Sequence, residues 1–209
     1  MEYLKNSKFA EYYRILLRGI KGLKLMYFSS NRYRFGFCAE NAWIGIPCYG
    51  NKSRLFVHDG TGVGPNFMLL SSKGKCIVKE HVSIGPNVTV ITDNHQNWNK
   101  IGSYPGGPDW GEYTDSGDVV ISEHTWIGAN VTICPGVVVP RGCVVAAGSV
   151  VVKGQYLPYS VLGGVTCRVI GWRFVGKDII EHEKLLFPES ERLSKECLNR
   201  IFEEQAKSL

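Results

Sequence analysis

The chain has 209 residues, of which 44% are hydrophobic and 21% are charged, and its formal net charge is +5 at pH 7. A chain of this size can bury one core with terminal caps, and it has no stretch near the roughly 20 apolar residues of a membrane span. Charged residues interrupt the apolar stretch near the start, so we expect no secretory signal. Seven cysteines without a Cys-x-x-Cys pair indicate reduced thiols and a cytoplasmic location.

Residues 1–35 hold the positive charge of the chain. Lysine and arginine outnumber aspartate and glutamate there by more than the net charge of the whole chain, and they alternate with leucine, isoleucine and aromatic residues. This basic amphipathic pattern predicts a helical cap over an open end of the fold. It is also compatible with peripheral contact with the anionic inner face of a membrane.

From residue 57 onward, an aliphatic residue recurs every six positions in four blocks of three. These residues are Val57, Val63 and Leu69, then Val78, Ile84 and Val90, then Ile121, Ile127 and Ile133, then Val139, Val145 and Val151. Neither a helix nor a single strand has a period of six, whereas a parallel β-helix repeats one flat strand and one turn per hexad. We therefore predict coils over 57–74, 78–95, 121–138 and 139–156.

Three related tripeptides fall at the same place in successive coils. Gly-Pro-Asn occurs at 64–66 and 85–87, and Gly-Ala-Asn at 128–130. Asparagine and glycine tolerate the left-handed backbone of a sharp corner, so the three asparagines are predicted to be corner residues.

Two segments interrupt the repeat at the same predicted corner. The smaller lies around residues 75–77, and the larger, residues 96–120, contains Trp98, Tyr104, Trp110 and Tyr113. A long segment without repeat character is often functional, and its aromatic residues predict an ordered arm that packs on another surface or stacks on a ligand. Residues 174–209 follow the repeats and are predicted to form a C-terminal helical extension.

Three segments carry a family resemblance. They are Trp126-Ile-Gly-Ala-Asn-Val-Thr-Ile-Cys-Pro-Gly-Val, Ala146-Ala-Gly-Ser-Val-Val-Val-Lys153 and Val161-Leu-Gly-Gly-Val-Thr-Cys-Arg-Val-Ile170. They resemble the hexapeptide-repeat acyltransferases, and are most similar to the maltose, galactoside and surface-polysaccharide O-acetyltransferases. The resemblance implies an all-β fold with helical caps: a left-handed parallel β-helix of four or five coils over 36–173. It also implies a homotrimer with active sites between neighbours, acetyl-CoA as co-substrate and a sugar acceptor.

His95 is the predicted general base. It ends the hexad Val90-Ile-Thr-Asp-Asn-His95, where the coil departs into the arm, and the resembling enzymes keep a histidine at this place. Imidazole titrates near neutral pH, so it can accept the proton of an attacking hydroxyl and return it to a leaving thiolate. Asp93 is a candidate for orienting the ring, and it is equally suited to a turn.

Ala129 and Ala147 lie eighteen residues apart, which is one full coil, so they are predicted to stack and to leave a shallow channel. The resemblance implies that acetyl-CoA binds in this channel and also contacts Val152, Lys153 and Arg168. The positive charges of Lys153 and Arg168 suit the phosphate groups of CoA. The proline that the family commonly places before this basic residue is absent here, which makes Arg173 a second candidate.

The acceptor site is less defined. The resemblance assigns Asn66 to the substrate, although its corner position also explains it. Two other functions stay open: a metal-dependent lyase of the γ-carbonic-anhydrase type and a non-catalytic β-helical interaction module. No metal is expected, because the closest two histidines, His81 and His95, are fourteen residues apart. No nucleic-acid partner is expected.

Overall fold

The computed structural model of the chain describes residues 8–30, 34–95, 101–102, 104 and 114–207, excluding the side chains of 25–30, 95, 114 and 115. A long helix, α1 (Lys8–Ser30), precedes a stack of short strands, and two helices, α2 (Lys177–Leu186) and α3 (Lys195–Lys207), follow it. Single 3-10 turns lie at Lys52–Arg54 and Glu189–Glu191. None of these described helices has both the length and the apolarity needed to cross a membrane.

Three sheets form the sides of a prism, and all their strand pairings are parallel except that of the last strand of sheet B. Sheet A contains β1 (Phe37–Cys38), β4 (Leu55–Val57), β7 (Cys76–Val78), β12 (Val119–Ile121) and β15 (Val138–Val139). Sheet B contains β2 (Trp43–Ile44), β5 (Gly62–Val63), β8 (Ser83–Ile84), β13 (Trp126–Ile127), β16 (Val144–Val145), β18 (Ser160–Gly163) and β19 (Arg168–Trp172). Sheet C contains β3 (Cys48–Gly50), β6 (Phe67–Leu70), β9 (Thr89–Ile91), β14 (Thr132–Ile133) and β17 (Val150–Val151).

The chain visits sheets A, B and C in turn, so that one strand from each makes a coil. The predicted aliphatic column is confirmed, because all twelve hexad residues are buried on the axis of the prism. Burying one such side chain contributes about 1.5–3 kcal/mol, and stacking the coils makes the contributions continuous. This repeated burial favours a prism with one residue of each strand turned inward.

A coil upstream of the predicted ones begins at Phe37. Its residues Cys38, Ile44 and Gly50 pair with the buried Val57, Val63 and Leu69 of the next coil. They keep the spacing of six, but only Ile44 is aliphatic, which is why the aliphatic pattern did not reveal this coil. The prism therefore has five coils, in agreement with the predicted fold class.

Both interruptions leave the prism between sheets C and A, which we name the C–A corner. The arm departs through β10 (Asp93–His95) and returns through β11 (Thr114–Ser116), and these two strands pair in antiparallel orientation. The prism resumes at β12, so Val119 and Val120 belong to a core strand although the sequence assigned them to the arm.

The three tripeptide asparagines form a ladder at the B–C corner, between sheets B and C. Asn66, Asn87 and Asn130 have φ values of 60°, 58° and 57°, as the corner prediction requires. The Asn66 amide donates to Asn87 Oδ1 at 3.0 Å, and the Asn87 amide donates to Asn130 Oδ1 at 3.1 Å. The side-chain amide of each asparagine thus donates a hydrogen bond to the side-chain oxygen of the next asparagine in the stack.

The C-terminal helices pack on the A–B corner, between sheets A and B. Tyr159, Ile179 and Ile201 form a second, smaller core there. The buried Glu183 carboxylate accepts a hydrogen bond from the Tyr159 hydroxyl, and it accepts another from Arg141 Nη1 at 3.2 Å. These bonds tie α2 to the last coil.

Candidate active site

The backbone of His95 lies where the arm leaves the prism. In the ribbon of β10 and β11, His95 is paired with Thr114, and Asp93 is paired with Ser116. The hexad pattern predicts that the arm departs at this place. The side chain of His95 lies outside the described part of the chain, so its catalytic role stays a prediction.

Asp93 begins this ribbon, and both of its carboxylate oxygens hold the loop Ser71–Lys75 of the same corner. Oδ2 accepts the Ser72 amide at 2.7 Å, and Oδ1 accepts the Lys73 and Gly74 amides at 3.1 and 3.3 Å. Successive amides that converge on one anion form an anion-binding nest. The described contacts of Asp93 are therefore those of a loop anchor, and orientation of the imidazole stays a prediction.

The pKa of Asp93 lies below its usual range. Partial burial is the largest influence and opposes ionisation, but hydrogen bonds from the Thr92 hydroxyl and from the three amides of the nest outweigh it. The Thr92 hydroxyl donates to Oδ2 at 2.7 Å. The carboxylate is consequently charged at neutral pH and is fixed before any ligand binds.

Asp118 anchors the returning end of the arm to the same loop. Its Oδ1 accepts the Lys75 amide at 2.8 Å, and the Val119 amide returns a hydrogen bond to the Lys75 carbonyl at 2.8 Å. Sequence reasoning did not single out Asp118, although its place just before a hexad strand, as the arm ends, was a usable signal.

The predicted donor residues Ala129 and Ala147 lie on successive turns of the B–C corner. The Gly148 amide donates to the Ala129 carbonyl at 2.9 Å, which places the two alanines one coil apart as their spacing predicts. A Cβ on Gly128 would lie 2.6 Å from the Ala147 nitrogen, so glycine is needed for this close stacking. The small side chains leave the backbone of the corner accessible.

Lys153 and Arg168 both border β17, the last strand of sheet C. Lys153 is the second residue after the strand. The residue between them is Val152, whose carbonyl accepts a hydrogen bond from the Tyr156 hydroxyl at 2.8 Å. Arg168 follows a turn whose Cys167 amide donates to the Val150 carbonyl at 2.8 Å. The two exposed cations therefore lie at opposite ends of β17. Arg168 is at the end near the B–C corner and the alanine stack, whereas Lys153 is at the C–A corner, where its side chain lies 3.6 Å from the place of a Cβ on Gly136. Binding of phosphate by either residue stays a prediction.

Arg173, the second candidate for phosphate, lies elsewhere. Its Nη1 donates to the His124 carbonyl at 2.7 Å and to the Gly142 carbonyl at 3.3 Å, both at the A–B corner. It thus holds the C-terminal segment to the prism. Asn66, the predicted acceptor residue, is exposed at the B–C corner, where its amide belongs to the asparagine ladder.

The other described histidines and acids do not form a metal site. Within the described ranges, no three His, Cys, Asp or Glu side chains converge as metal ligands. His58 Nδ1 lies 3.4 Å from Glu80 Oε1, and His81 stacks on His124 with ring centroids 5.2 Å apart. Trp98, Trp110 and Tyr113 of the arm lie outside the described residues.

Comparison with known proteins agrees with the repeat and the fold. Residues 118–153 match the family model "Bacterial transferase hexapeptide (six repeats)". The chain is 36% identical over 141 residues to a galactoside O-acetyltransferase of Lactococcus lactis, a match that covers 65% of this chain and 62% of the relative. The match thus spans less than two thirds of the relative's own length.

Solved structures share the fold at lower identity. A hexapeptide-repeat acetyltransferase from Vibrio cholerae, complexed with acetyl coenzyme A, matches 82% of this chain and 92% of its own with a TM-score of 0.62 at 24% identity. A maltose O-acetyltransferase from Clostridium difficile matches 80% of this chain and 90% of its own, with a TM-score of 0.54 at 21% identity. The chain therefore contains hexapeptide repeats over residues 118–153 and has the left-handed parallel β-helix fold, and it is similar in sequence to a galactoside O-acetyltransferase.

Proposed function

We propose that the protein is an acetyl-CoA-dependent acetyltransferase that modifies a sugar hydroxyl. The observation that carries this proposal is the 36% identity with a galactoside O-acetyltransferase over 141 residues. The arm root supplies a place for a base, and the alanine stack with Arg168 beside it supplies a place for a donor. The acceptor that we infer is a sugar of a surface polysaccharide or of a glycoside precursor.

His95 is the proposed base. The acceptor oxygen attacks the thioester carbonyl while imidazole takes the hydroxyl proton, and collapse of the tetrahedral intermediate breaks the carbon–sulfur bond. The imidazolium then protonates the leaving thiolate, so that the products are the acetyl ester and free CoA. Such acid–base catalysis typically contributes about 100- to 10,000-fold.

For the donor, Ala129 and Ala147 are proposed to line the path of the pantetheine arm. Lys153 and Arg168 are proposed to meet the phosphates, with Val152 between the channel and the lysine. The planar guanidinium of Arg168 suits a bidentate contact with phosphate, and the ammonium group of Lys153 suits contact as a point charge. Asn66, at the other end of the asparagine ladder, is proposed to face the sugar.

A homotrimer is proposed because one chain separates the base from the donor channel. The arm root lies at the C–A corner and the alanine stack lies at the B–C corner, so they are at opposite ends of the strands of sheet C. The five steps from Ala129 to Cys134 span roughly 17 Å at about 3.3 Å per residue. A neighbouring copy that brings its arm to the B–C corner would close this gap. Light scattering is expected to give a trimer mass.

We further propose a cytoplasmic location with α1 resting on the inner membrane face. Six of its exposed side chains occupy an uncharged arc of about 100° on a helical wheel: Phe9, Tyr12, Tyr13, Leu16, Ile20 and Leu23. Arg14, Arg18 and Lys21 project from the other side. Changing these three residues to glutamine is expected to reduce binding to anionic vesicles by about 1 kcal/mol per charge.

The deciding experiment incubates the purified protein with acetyl-CoA and a panel of mono-, di- and oligosaccharides, and measures free CoA by a thiol reagent. We expect acceptor-dependent CoA release that survives treatment with EDTA. Release that requires a restored metal would favour the lyase or hydrolase class. An absence of CoA release with every acceptor would contradict the proposal.

A further inference from the structure

Both ends of the arm are bound to one short loop, Ser71–Lys75. Four consecutive backbone amides of this loop, 72 to 75, each donate to a carboxylate at an end of the arm: the first three to Asp93 and the fourth to Asp118. The bonds join residues that are 19 to 43 positions apart in the chain.

The loop is itself rigid, because the preceding corner and its own side chain hold it from the other side. Arg54 Nη1 donates to the Lys73 carbonyl at 2.6 Å, and Asn51 Nδ2 donates to the Ser71 carbonyl at 3.2 Å. Within the loop, the Ser71 hydroxyl donates to the Gly74 carbonyl at 2.6 Å. The carboxylates therefore bind a platform that the coil beneath has already fixed.

Gly74 sits at the closest approach of the loop to both ends of the arm. A Cβ at this position would lie 2.7 Å from the Thr92 Cβ and 3.0 Å from the Gly117 carbonyl oxygen. Thr92 is fully buried, so it cannot move aside. Any larger residue at position 74 must push the strands of the arm root away from the prism.

We infer that the loop Ser71–Lys75, clamped by Asp93 and Asp118, positions the arm root and thereby the backbone from which His95 is presented. Asp93 and Asp118 act here as positioning residues through the main chain. The inference rests on the proposed function, since it assigns the clamp to the site that His95 serves. The clamp differs from direct orientation of the imidazole by Asp93, because the clamp also requires Asp118.

The direction of the hydrogen bonds explains why aspartate is used at both ends. The amides are all donors, so each position needs an acceptor, and a carboxylate supplies two oxygens. Charge-assisted bonds from amides to carboxylate are roughly twice as strong as neutral ones. The lowered pKa of Asp93 agrees with a carboxylate that these donors hold in its ionised form.

The test compares four full-length variants: Asp93→Asn, Asp93→Ala, Asp118→Asn and, as the matched control, Asp59→Asn. Asp59 is exposed at the A–B corner, remote from the arm. Two readouts are used, the kcat and KM of acetyl transfer and the hydrogen exchange rates of amides 72–75. The melting temperature of each variant shows whether it is folded.

We expect kcat to fall roughly 10- to 100-fold in Asp93→Ala, because a displacement of about 1 Å can cost about 100-fold. Asp93→Asn and Asp118→Asn should lose less, with the KM for acetyl-CoA within about twofold, as expected when ground-state binding is retained. Amide exchange at 72–74 should accelerate in the Asp93 variants, and exchange at 75 in Asp118→Asn. Asp59→Asn should match the wild type in both readouts.

Unchanged kcat in folded Asp93→Ala and Asp118→Asn would overturn the inference, even if exchange accelerates, because the loop would then be structural only. Loss of kcat in the Asp93 variants with full activity in Asp118→Asn would also overturn it and would favour direct orientation of the ring. If the wild type itself transfers no acetyl group, the proposed function fails, and the exchange rates alone then decide whether the clamp exists.

Discussion

His81 and His124 lie one coil apart at the A–B corner, with their ring centroids 5.2 Å apart and both backbones in the left-handed region, at φ 55° and 57°. The His124 ring also meets the ring of Phe187 edge-on at 4.9 Å, where the chain leaves α2. Two coils and the C-terminal extension thus meet through these rings.

This contact predicts acid sensitivity. Burial, followed by the charges of His81, His182 and two arginines, lowers the pKa of His124. A histidine with a lowered folded pKa binds fewer protons folded than unfolded, so stability falls as pH drops below about 6.5. The melting temperature should therefore decrease between pH 7.5 and 5. His124→Asn, which tolerates the left-handed backbone, should show a shallower decrease, and an identical pH slope would contradict the prediction.

Arg141 joins the prism to the C-terminal helices, and the protein should be sensitive to its loss. Its guanidinium bonds Glu123 and Glu183 at 3.2 Å each and lies 3.9 Å from the centre of the Phe187 ring. Removing one partner of a largely buried ion pair costs about 3–5 kcal/mol, because the other charge stays buried. Arg141→Met should lower the unfolding free energy by this amount in urea, and the exposed Arg200→Met should change it little.

The asparagine ladder predicts graded costs at its middle rung. Asn87→Ala loses the hydrogen bonds on both sides and places an alanine in the left-handed region, which costs about 1–2 kcal/mol for the backbone and about 1 kcal/mol per hydrogen bond. Asn87→Gly keeps the backbone conformation and should cost less. Denaturant titration of both variants measures the order, and a glycine variant as unstable as alanine would contradict the backbone part of the argument.

His95→Ala should lose about 100- to 10,000-fold of the acetyl-transfer rate while keeping the wild-type assembly, because general base catalysis typically contributes this factor. The matched control is His58→Ala, a histidine of the A–B corner that pairs with Glu80. CoA release is the measurement for both. If His58→Ala loses as much as His95→Ala, the loss does not report on the base.

The period of six predicted the fold because burial repeats with the sequence. The aliphatic residues from Val57 to Val151 recur every six positions, and all of them are buried on the axis of the prism. The asparagines at equivalent positions predicted the corners with left-handed backbone. The aliphatic pattern did not include the first coil, although the predicted β-helix begins at residue 36, because the positions of that coil include Cys38 and Gly50, which are small but keep the same spacing. Trp43-Ile44-Gly45, which repeats Trp126-Ile127-Gly128, was the signal that could have revealed it.

The candidate site was less predictable because its contacts join distant parts of the chain. Spacing placed Ala129 over Ala147 and His95 at the arm root, since these depend only on the coil length. The partners of Asp93 and Arg173 depend on which loops share a corner after stacking, and no local pattern encodes that. Asp118 lies 43 residues from its partner Lys75, so only the folded prism shows their bond.

The final strand β19 runs against β18, whereas all the other pairings of sheet B are parallel. The chain reverses direction after β18, so β19 covers the free edge of β18 with an antiparallel strand and no further parallel strand can pair there. At the opposite end, β2 is paired only with β5 among the described strands. Deleting residues 164–209 should therefore leave both termini of the solenoid able to accept a strand from another molecule and favour head-to-tail fibres, which sedimentation and electron microscopy can detect.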